Sequence, residues 1–260
     1  MSALLLTADL GNSRCKLRLW QLDGAHARAV DGAQFGAENA EDIQPWLASR
    51  ERARRAALSS VGAPQLESRV RAWLERATDE GVVTPAHGLE LEVREAHTVG
   101  ADRLFAARGA FQHLRGPALV VDAGTALTVD ALGVRNERGV FLGGAIAPGP
   151  ALLADALARS TARLPRVETR PGARALGRST REAIEAGVAV GFRGAARELV
   201  ERVGAESGLE RAPIALTGGA REFLLEPPLF AGREVVALDD LVHLGLIAAL
   251  CDAQGATLPR

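Results

Sequence analysis

With 260 residues, 47% of them hydrophobic, the chain has enough apolar material for one large core or two of ordinary size. Its 31 basic and 32 acidic residues leave a formal charge of -1, which gives no long-range attraction for nucleic acid or an anionic membrane surface. No apolar run approaches the ~20 residues of a membrane helix, and Cys15 and Cys251 form neither a C-x-x-C pair nor a disulfide framework, which fits a reducing cytoplasm.

The opening apolar run has no basic leader and is interrupted by Asp9, so it reads as a buried strand rather than a signal segment. It runs into Asp9-Leu10-Gly11-Asn12-Ser13, a Gly/Asn turn, and then into the alternation Cys15, Leu17, Leu19, which together predict a hairpin. Residues 56–61 read as a buried strand. Leu66, Val70, Trp73 and Ala77 form a helical stripe that ends near Gly81 and packs on the first sheet. The arginine-rich run at 50–55 reads as a solvated helix end. Residues 89–93 read as a weak strand and 102–113 as an alanine-rich helix. Gly116-Pro117 then divides an N-terminal lobe, residues 1–116, from a C-terminal lobe, residues 117–260.

The second lobe opens as the first does: apolar residues 118–121, then Asp122-Ala123-Gly124-Thr125, then a second strand. Such internal similarity predicts a duplicated supersecondary unit. Residues 140–146 and 214–216 follow as strands, 150–159 and 179–203 as helices, and 163–178 as an aperiodic loop, giving α/β layering. His243, inside an apolar helix, reads as a satisfied core residue, and the five histidines show no zinc-site spacing.

The two turns carry what phosphoryl transfer needs. Gly11 permits close backbone approach, Asn12 and Ser13 offer polar hydrogens, and Lys16 can reach phosphate oxygens. Lys16 is the single lysine of a chain whose other basic residues are all arginine, so a compact ammonium is retained there against a strong bias. In the second turn Thr125 can contact phosphate and Asp122 can hold a cation. Facing each other across a cleft, the two hairpins would clamp a triphosphate. Thr217-Gly218-Gly219 would let an adenosine lie against backbone, and 143–149 bends a strand into a helix start that suits an anion. Each motif alone also fits a plain turn or cap.

In this order the motifs Asp-x-Gly-Asn-Ser, Asp-x-Gly-Thr-Ala, Gly-Gly-x-Ile-x-Pro-Gly and Thr-Gly-Gly resemble the acetate kinase, sugar kinase, Hsp70 and actin superfamily. With Gly100-Ala101-Asp102-Arg103 added, the chain resembles the type III pantothenate kinases, the group that includes the Bvg accessory factor, over nearly its whole length. The resemblance implies two ribonuclease-H-like lobes of the actin-like ATPase type with the active site in the cleft between them. It implies phosphorylation of pantothenate by ATP with Mg²⁺, the first step of coenzyme A synthesis. Asp9, Leu10, Gly11, Asn12, Ser13, Arg14, Cys15, Lys16 and Thr125 would bind ATP, and Asp122 would hold a monovalent cation, K⁺ or NH₄⁺. Gly100, Ala101, Asp102 and Arg103 would hold pantothenate, with Asp102 the base that takes the proton of its primary hydroxyl. First-turn helix charge would equally explain Asp102.

Thr180 occupies the place of a threonine that contacts pantothenate from the partner subunit, which implies a homodimer. Locally, Ser179-Thr180-Arg181-Glu182 also reads as a capping box, and Ala183, Gly187, Gly191 and Gly194 form a small-residue face along the helix. The sequence departs from the family at two places. Val93 stands where a tyrosine usually lines the pantothenate pocket, and Ser179 stands before Thr180 where asparagine is usual. A nucleotide-binding regulatory protein of the same fold, or a kinase of another small hydroxy acid, is the alternative these changes leave open.

Overall fold

A computed structural model describes residues 3–23, 26–225, 228–230 and 232–253. The apolar run behind Asp9 forms strand β1 (Ala3–Leu10), and the alternating segment after the turn forms β2 (Arg14–Asp23). β3 (His26–Gly36) extends the antiparallel meander. On the other side of β1, strands β4 (Arg55–Ser60) and β5 (Val82–Val83) run parallel to it, giving the order β3-β2-β1-β4-β5. Nothing in the apolar pattern announces β3. It is an edge strand held by its backbone ladder to β2, with much of its surface in water.

Side-chain alternation gives this sheet two unlike faces. Leu6, Ala8, Leu10, Cys15, Leu17, Ala56 and Leu58 are buried on one face, beneath α1 (Ile43–Ala48) and α2 (Pro64–Arg76), where Ile43, Leu47, Val70, Trp73 and Leu74 complete the core. The helical stripe expected over 66–77 is therefore present and packs as expected. The other face carries Thr7, Asp9, Lys16, Arg18 and Ser59. Against it pack α3 (Ala101–Leu114) and the last helix of the chain, Leu241–Ala253.

The second sheet repeats the first strand for strand. β7 (Ala118–Ala123), β8 (Ala126–Arg135) and β9 (Arg138–Pro148) form the antiparallel meander. Its second turn is Asn136-Glu137, both at positive φ as a two-residue hairpin turn requires. β10 (Ile214–Thr217) and β11 (Val235–Ala237) add in parallel, and β6 (Glu90–Leu91) joins the outer edge, giving β11-β10-β7-β8-β9-β6. The core of this sheet is built by Leu119, Val121, Leu127, Val129, Ile214 and Leu216 with Phe192, Ala196 and Val200 of a 28-residue helix. The helices of this part are α4 (Pro150–Ser160), α5 (Thr180–Ser207) and α6 (Glu222–Leu225), and the last helix is α7. Residues 161–179 contain no helix or strand, yet Val167 is buried against Ile184 and Val188.

The chain divides into two compact units. One comprises residues 1–90, 94–115 and 240–260, and the other comprises 91–93 with 116–239. The chain crosses between the units at Gly116, and residues 240 onward group with the first unit rather than with the residues that precede them in sequence. Two glycines account for this. A Cβ on Gly245 would stand 1.9 Å from the Phe105 carbonyl oxygen, and one on Gly109 would stand 2.1 Å from that of Leu241, so α3 and α7 pack backbone to backbone. Among the described residues, no helix is long and apolar enough to cross a membrane.

Candidate active site

In the first unit the candidate residues gather at the carboxyl ends of the parallel strands β1 and β4, the end at which open α/β sheets bind ligands. Asp9 and Lys16 are directly opposed in the β1/β2 ladder, and the Gly11 N–H donates to the Arg14 carbonyl at 2.9 Å to close the turn. Asn12, Ser13 and Arg14 are exposed at its tip. The side chains of Leu10 and Cys15 face the apolar core, so these two expected ATP contacts can only be main-chain ones. Burial first, and the Asp9 charge second, push the Cys15 thiol up to about 12, and it stays protonated.

The end of β4 joins this hairpin to the substrate motif. Val61 N–H donates to the Leu10 carbonyl at 2.9 Å, and a Cβ on Gly62 would stand 3.2 Å from the Gly11 carbonyl oxygen. A Cβ on Gly100 would stand 3.5 Å from Val61 Cγ1 and 2.5 Å from Asp102 Oδ1. Glycine at 100 thus leaves room for the Asp102 carboxylate to fold back over the start of α3, where it accepts from the Arg103 N–H at 2.8 Å. Asp102 and Arg103 are half-buried in the first turn of that helix, where the dipole favours the carboxylate.

Ser59 was not singled out by the sequence. It lies directly opposite Asp9 on β4, fully buried, with a hydroxyl that has no hydrogen-bond partner among the described residues. Its counterpart in the duplicated sheet is Thr217, which lies opposite Asp122 on β10. The only signal for it is the hydroxyl-rich end of an otherwise apolar strand.

In the second unit three turns meet around Asp122. The Gly124 N–H donates to the Ala126 carbonyl at 2.9 Å, closing a turn one residue shorter than that of the first hairpin. Gly218 has φ +97°, and a Cβ there would stand 2.3 Å from the Ala123 carbonyl oxygen and 2.4 Å from Asp122 Oδ1. A Cβ on Gly149 would stand 2.3 Å from the Gly124 carbonyl oxygen, which brings the start of α4 against the same loop. Thr125 is exposed at this turn. The oxygens beside Gly218, one carboxylate and one carbonyl, suit a hard cation. Among the described residues no group of three or more His, Cys, Asp or Glu could hold a metal ion, so a cation here would draw its remaining ligands from backbone, water or phosphate.

Val93 and Thr180 also lie in the second unit. Val93 is half-buried, its Cγ1 3.7 Å from where a Cβ on Gly143 would stand. Thr180 is exposed at the first position of α5. One capping-box contact forms at this helix, Ser179 Oγ accepting from Glu182 N–H at 3.2 Å, while the Glu182 carboxylate reaches one residue further back and accepts from Arg178 N–H at 2.6 Å. A Cβ on Gly187, Gly191 or Gly194 would meet nothing within 4 Å. Beside them runs an open groove of about 420 Å³ lined by Leu176, Gly177, Ala183, Gly187, Val190 and Gly191, with Leu176 78% exposed.

A family model described as type III pantothenate kinase matches residues 5–202. The type III pantothenate kinase of Thermus thermophilus is 35% identical over 253 residues, covering 94% of this chain and 97% of its own. Two solved structures share the fold across 96% of this chain and 99% of theirs. One is a conserved putative Baf family transcriptional activator from Campylobacter jejuni (TM-score 0.61, 19% identity). The other is a putative 2-dehydro-3-deoxygalactonokinase from Sinorhizobium meliloti (TM-score 0.54, 17% identity). The fold class read from the sequence, α/β with two repeated sheets of the actin-like ATPase type, is borne out.

Proposed function

We infer that this chain, which belongs to the type III pantothenate kinase family, transfers the γ-phosphoryl group of ATP to the primary hydroxyl of pantothenate. The observation that carries the reading is the joining of residues 100–103 to the 9–16 hairpin through the end of β4, which puts a carboxylate and a phosphate-binding turn in one place. The substrate hydroxyl loses its proton to the Asp102 carboxylate as its oxygen bonds to the γ-phosphorus, and the bond to the β–γ bridging oxygen breaks to release ADP. Lys16 and the amides of residues 11–14 take up the charge on the phosphates. Arg103 holds the polar end of pantothenate.

Thr125 and the Gly218 turn are the groups of the second unit suited to contact a nucleotide. Asp122 and the Ala123 carbonyl would hold K⁺ or NH₄⁺. Asp9 would hold Mg²⁺ that enters with ATP, beside phosphate and water ligands, and the ion would supply neutralising charge to the phosphates. Val93, in place of an aromatic residue, presents less surface to a ligand than the family's tyrosine would. Thr180 completes the pocket of a second copy of the chain, which covers the groove along α5. That dimer would account for a glycine-lined helix face with an exposed leucine beside it. Two free, buried cysteines accord with a cytoplasmic enzyme.

Comparing kcat/KM over a panel of alcohol acceptors tests this reading. Pantothenate should exceed other hydroxy acids and sugars by at least about 100-fold, the scale set when buried polar groups lose their partners. A higher value for another acceptor would replace pantothenate, and nucleotide binding without turnover on any acceptor would turn the assignment into a regulatory one.

A further inference from the structure

α7 begins where the chain enters the first unit, and its first turn grips the sheet face that carries Asp9 and Lys16. Asp240 closes that turn by accepting from the Leu244 N–H at 2.8 Å. Its carboxylate takes both prongs of the Arg18 guanidinium, Nε to Oδ2 at 2.7 Å and Nη2 to Oδ1 at 2.9 Å. His243, three residues on and so on the same side of the helix, places Nδ1 2.7 Å from Thr7 Oγ1. Trp20 Nε1 donates to that same hydroxyl at 2.8 Å. Thr7, Trp20 and His243 are all buried.

Thr7 and Arg18 are not neighbours by accident of packing. They are directly opposed in the β1/β2 ladder, and the next pair on the same face, one pleat nearer the turn, is Asp9 and Lys16. Arg18 lies flat because its other cross-strand partner is Gly32, where a Cβ would stand 2.5 Å from Nη1. Buried charges and imidazoles stabilise a fold no better than apolar residues of similar volume, yet Asp240, just ahead of α7, and His243 in its first turn are both directed at this one pair. We propose that Asp240 and His243 are positioning residues that fix the Thr7/Arg18 pair and thereby hold Lys16 and Asp9 in register to receive the phosphates. The proposal rests on the reading of the 9–16 hairpin as the phosphate site.

The hydrogen bonds also specify a tautomer. Thr7 Oγ1 already accepts from Trp20, and its alternative acceptor, the Arg18 carbonyl, lies at a long 3.5 Å. The hydroxyl therefore donates to Nδ1, and neutral His243 carries its proton on Nε2.

Four variants test the clamp by initial-rate kinetics: Asp240→Asn, His243→Leu, His243→Asn and Lys16→Ala. Asp240→Asn and His243→Leu should raise the KM for ATP about tenfold, leave the KM for pantothenate within about twofold, and keep a cooperative melt. His243→Asn, whose amide can replace Nδ1 toward Thr7, should restore most of the ATP affinity. ¹⁵N NMR of the wild-type imidazole should show the Nε2–H form. If His243→Leu fails to fold, the half-buried Asp240→Asn still decides. An unchanged KM for ATP in Asp240→Asn beside a raised one in Lys16→Ala overturns the clamp alone. An unchanged KM for ATP in Lys16→Ala overturns the hairpin reading and the clamp with it.

Discussion

Acidification reaches the first unit through His243. Burial first, then the charges of Arg18 and Lys16, hold its pKa well below 6.5, so the folded chain keeps the imidazole neutral where the unfolded chain protonates it. Between the folded value and 6.5 the unfolded state binds the extra proton, so stability is complete above 6.5 and is lost as the pH falls below it. The slope approaches about 1.4 kcal/mol per pH unit, and integration from pH 6.5 to 5.5 gives about 1 kcal/mol. For a chain of this size that corresponds to about 2–4 °C in Tm. His87, whose pKa burial and then Arg108 also lower, adds to the slope in the wild type and the variant alike. The perturbation is His243→Asn, which keeps a hydrogen-bonding group toward Thr7 and removes the titration. Melting both proteins at pH 6.5 and 5.5 should show the variant losing about 2–4 °C less than the wild type over that interval. Equal losses would mean that His243 is not held neutral against the sheet and would refute the argument.

Asp102→Asn should lower kcat by about 100-fold or more while leaving ATP affinity nearly unchanged, since a general base acts on the acceptor and not on the nucleotide. A pre-steady-state burst assay with separate nucleotide titration checks both halves. Gly218→Ala forces a side chain into a left-handed φ and against Asp122 and Ala123. It should destabilise by about 1–3 kcal/mol and weaken nucleotide and monovalent-cation binding together, read by melting and by calorimetric titration. Leu176→Asp should put a charge into the groove along α5. Sedimentation velocity should then show a shift toward monomer, with a matching loss of pantothenate turnover.

Much of the architecture was legible because it is periodic or repeated. The stripe Leu66, Val70, Trp73, Ala77 faces the core as its spacing required, and in each Asp-x-Gly turn the glycine N–H closes onto a carbonyl of the strand that follows. β3 was not legible, since an edge strand held by backbone pairing needs no apolar alternation. The return of α7 to the first unit was not legible either. It depends on Gly109 and Gly245, whose meaning is a close backbone approach between helices far apart in sequence.

Side-chain environment was the hardest to read at the site. His243 was expected to be a satisfied core residue, yet among the described residues only Nδ1 finds a partner and Nε2 is buried without one. Ser59 looked like the end of an apolar strand, and only the β1/β4 register sets it opposite Asp9. Leu10 and Cys15 sit inside the phosphate motif, but alternation turns their side chains away from it. Gly100 makes the space into which the Asp102 carboxylate folds, a contact that the spacing of the motif does not announce.

The most direct measurement is transfer of label from γ-³²P-ATP to pantothenate by the purified 260-residue chain with Mg²⁺, run with and without K⁺. Labelled phosphopantothenate formed catalytically, faster with K⁺ and nearly absent for Asp102→Asn, is the expected result. Hydrolysis of ATP to free phosphate with no labelled pantothenate under either condition would contradict the account.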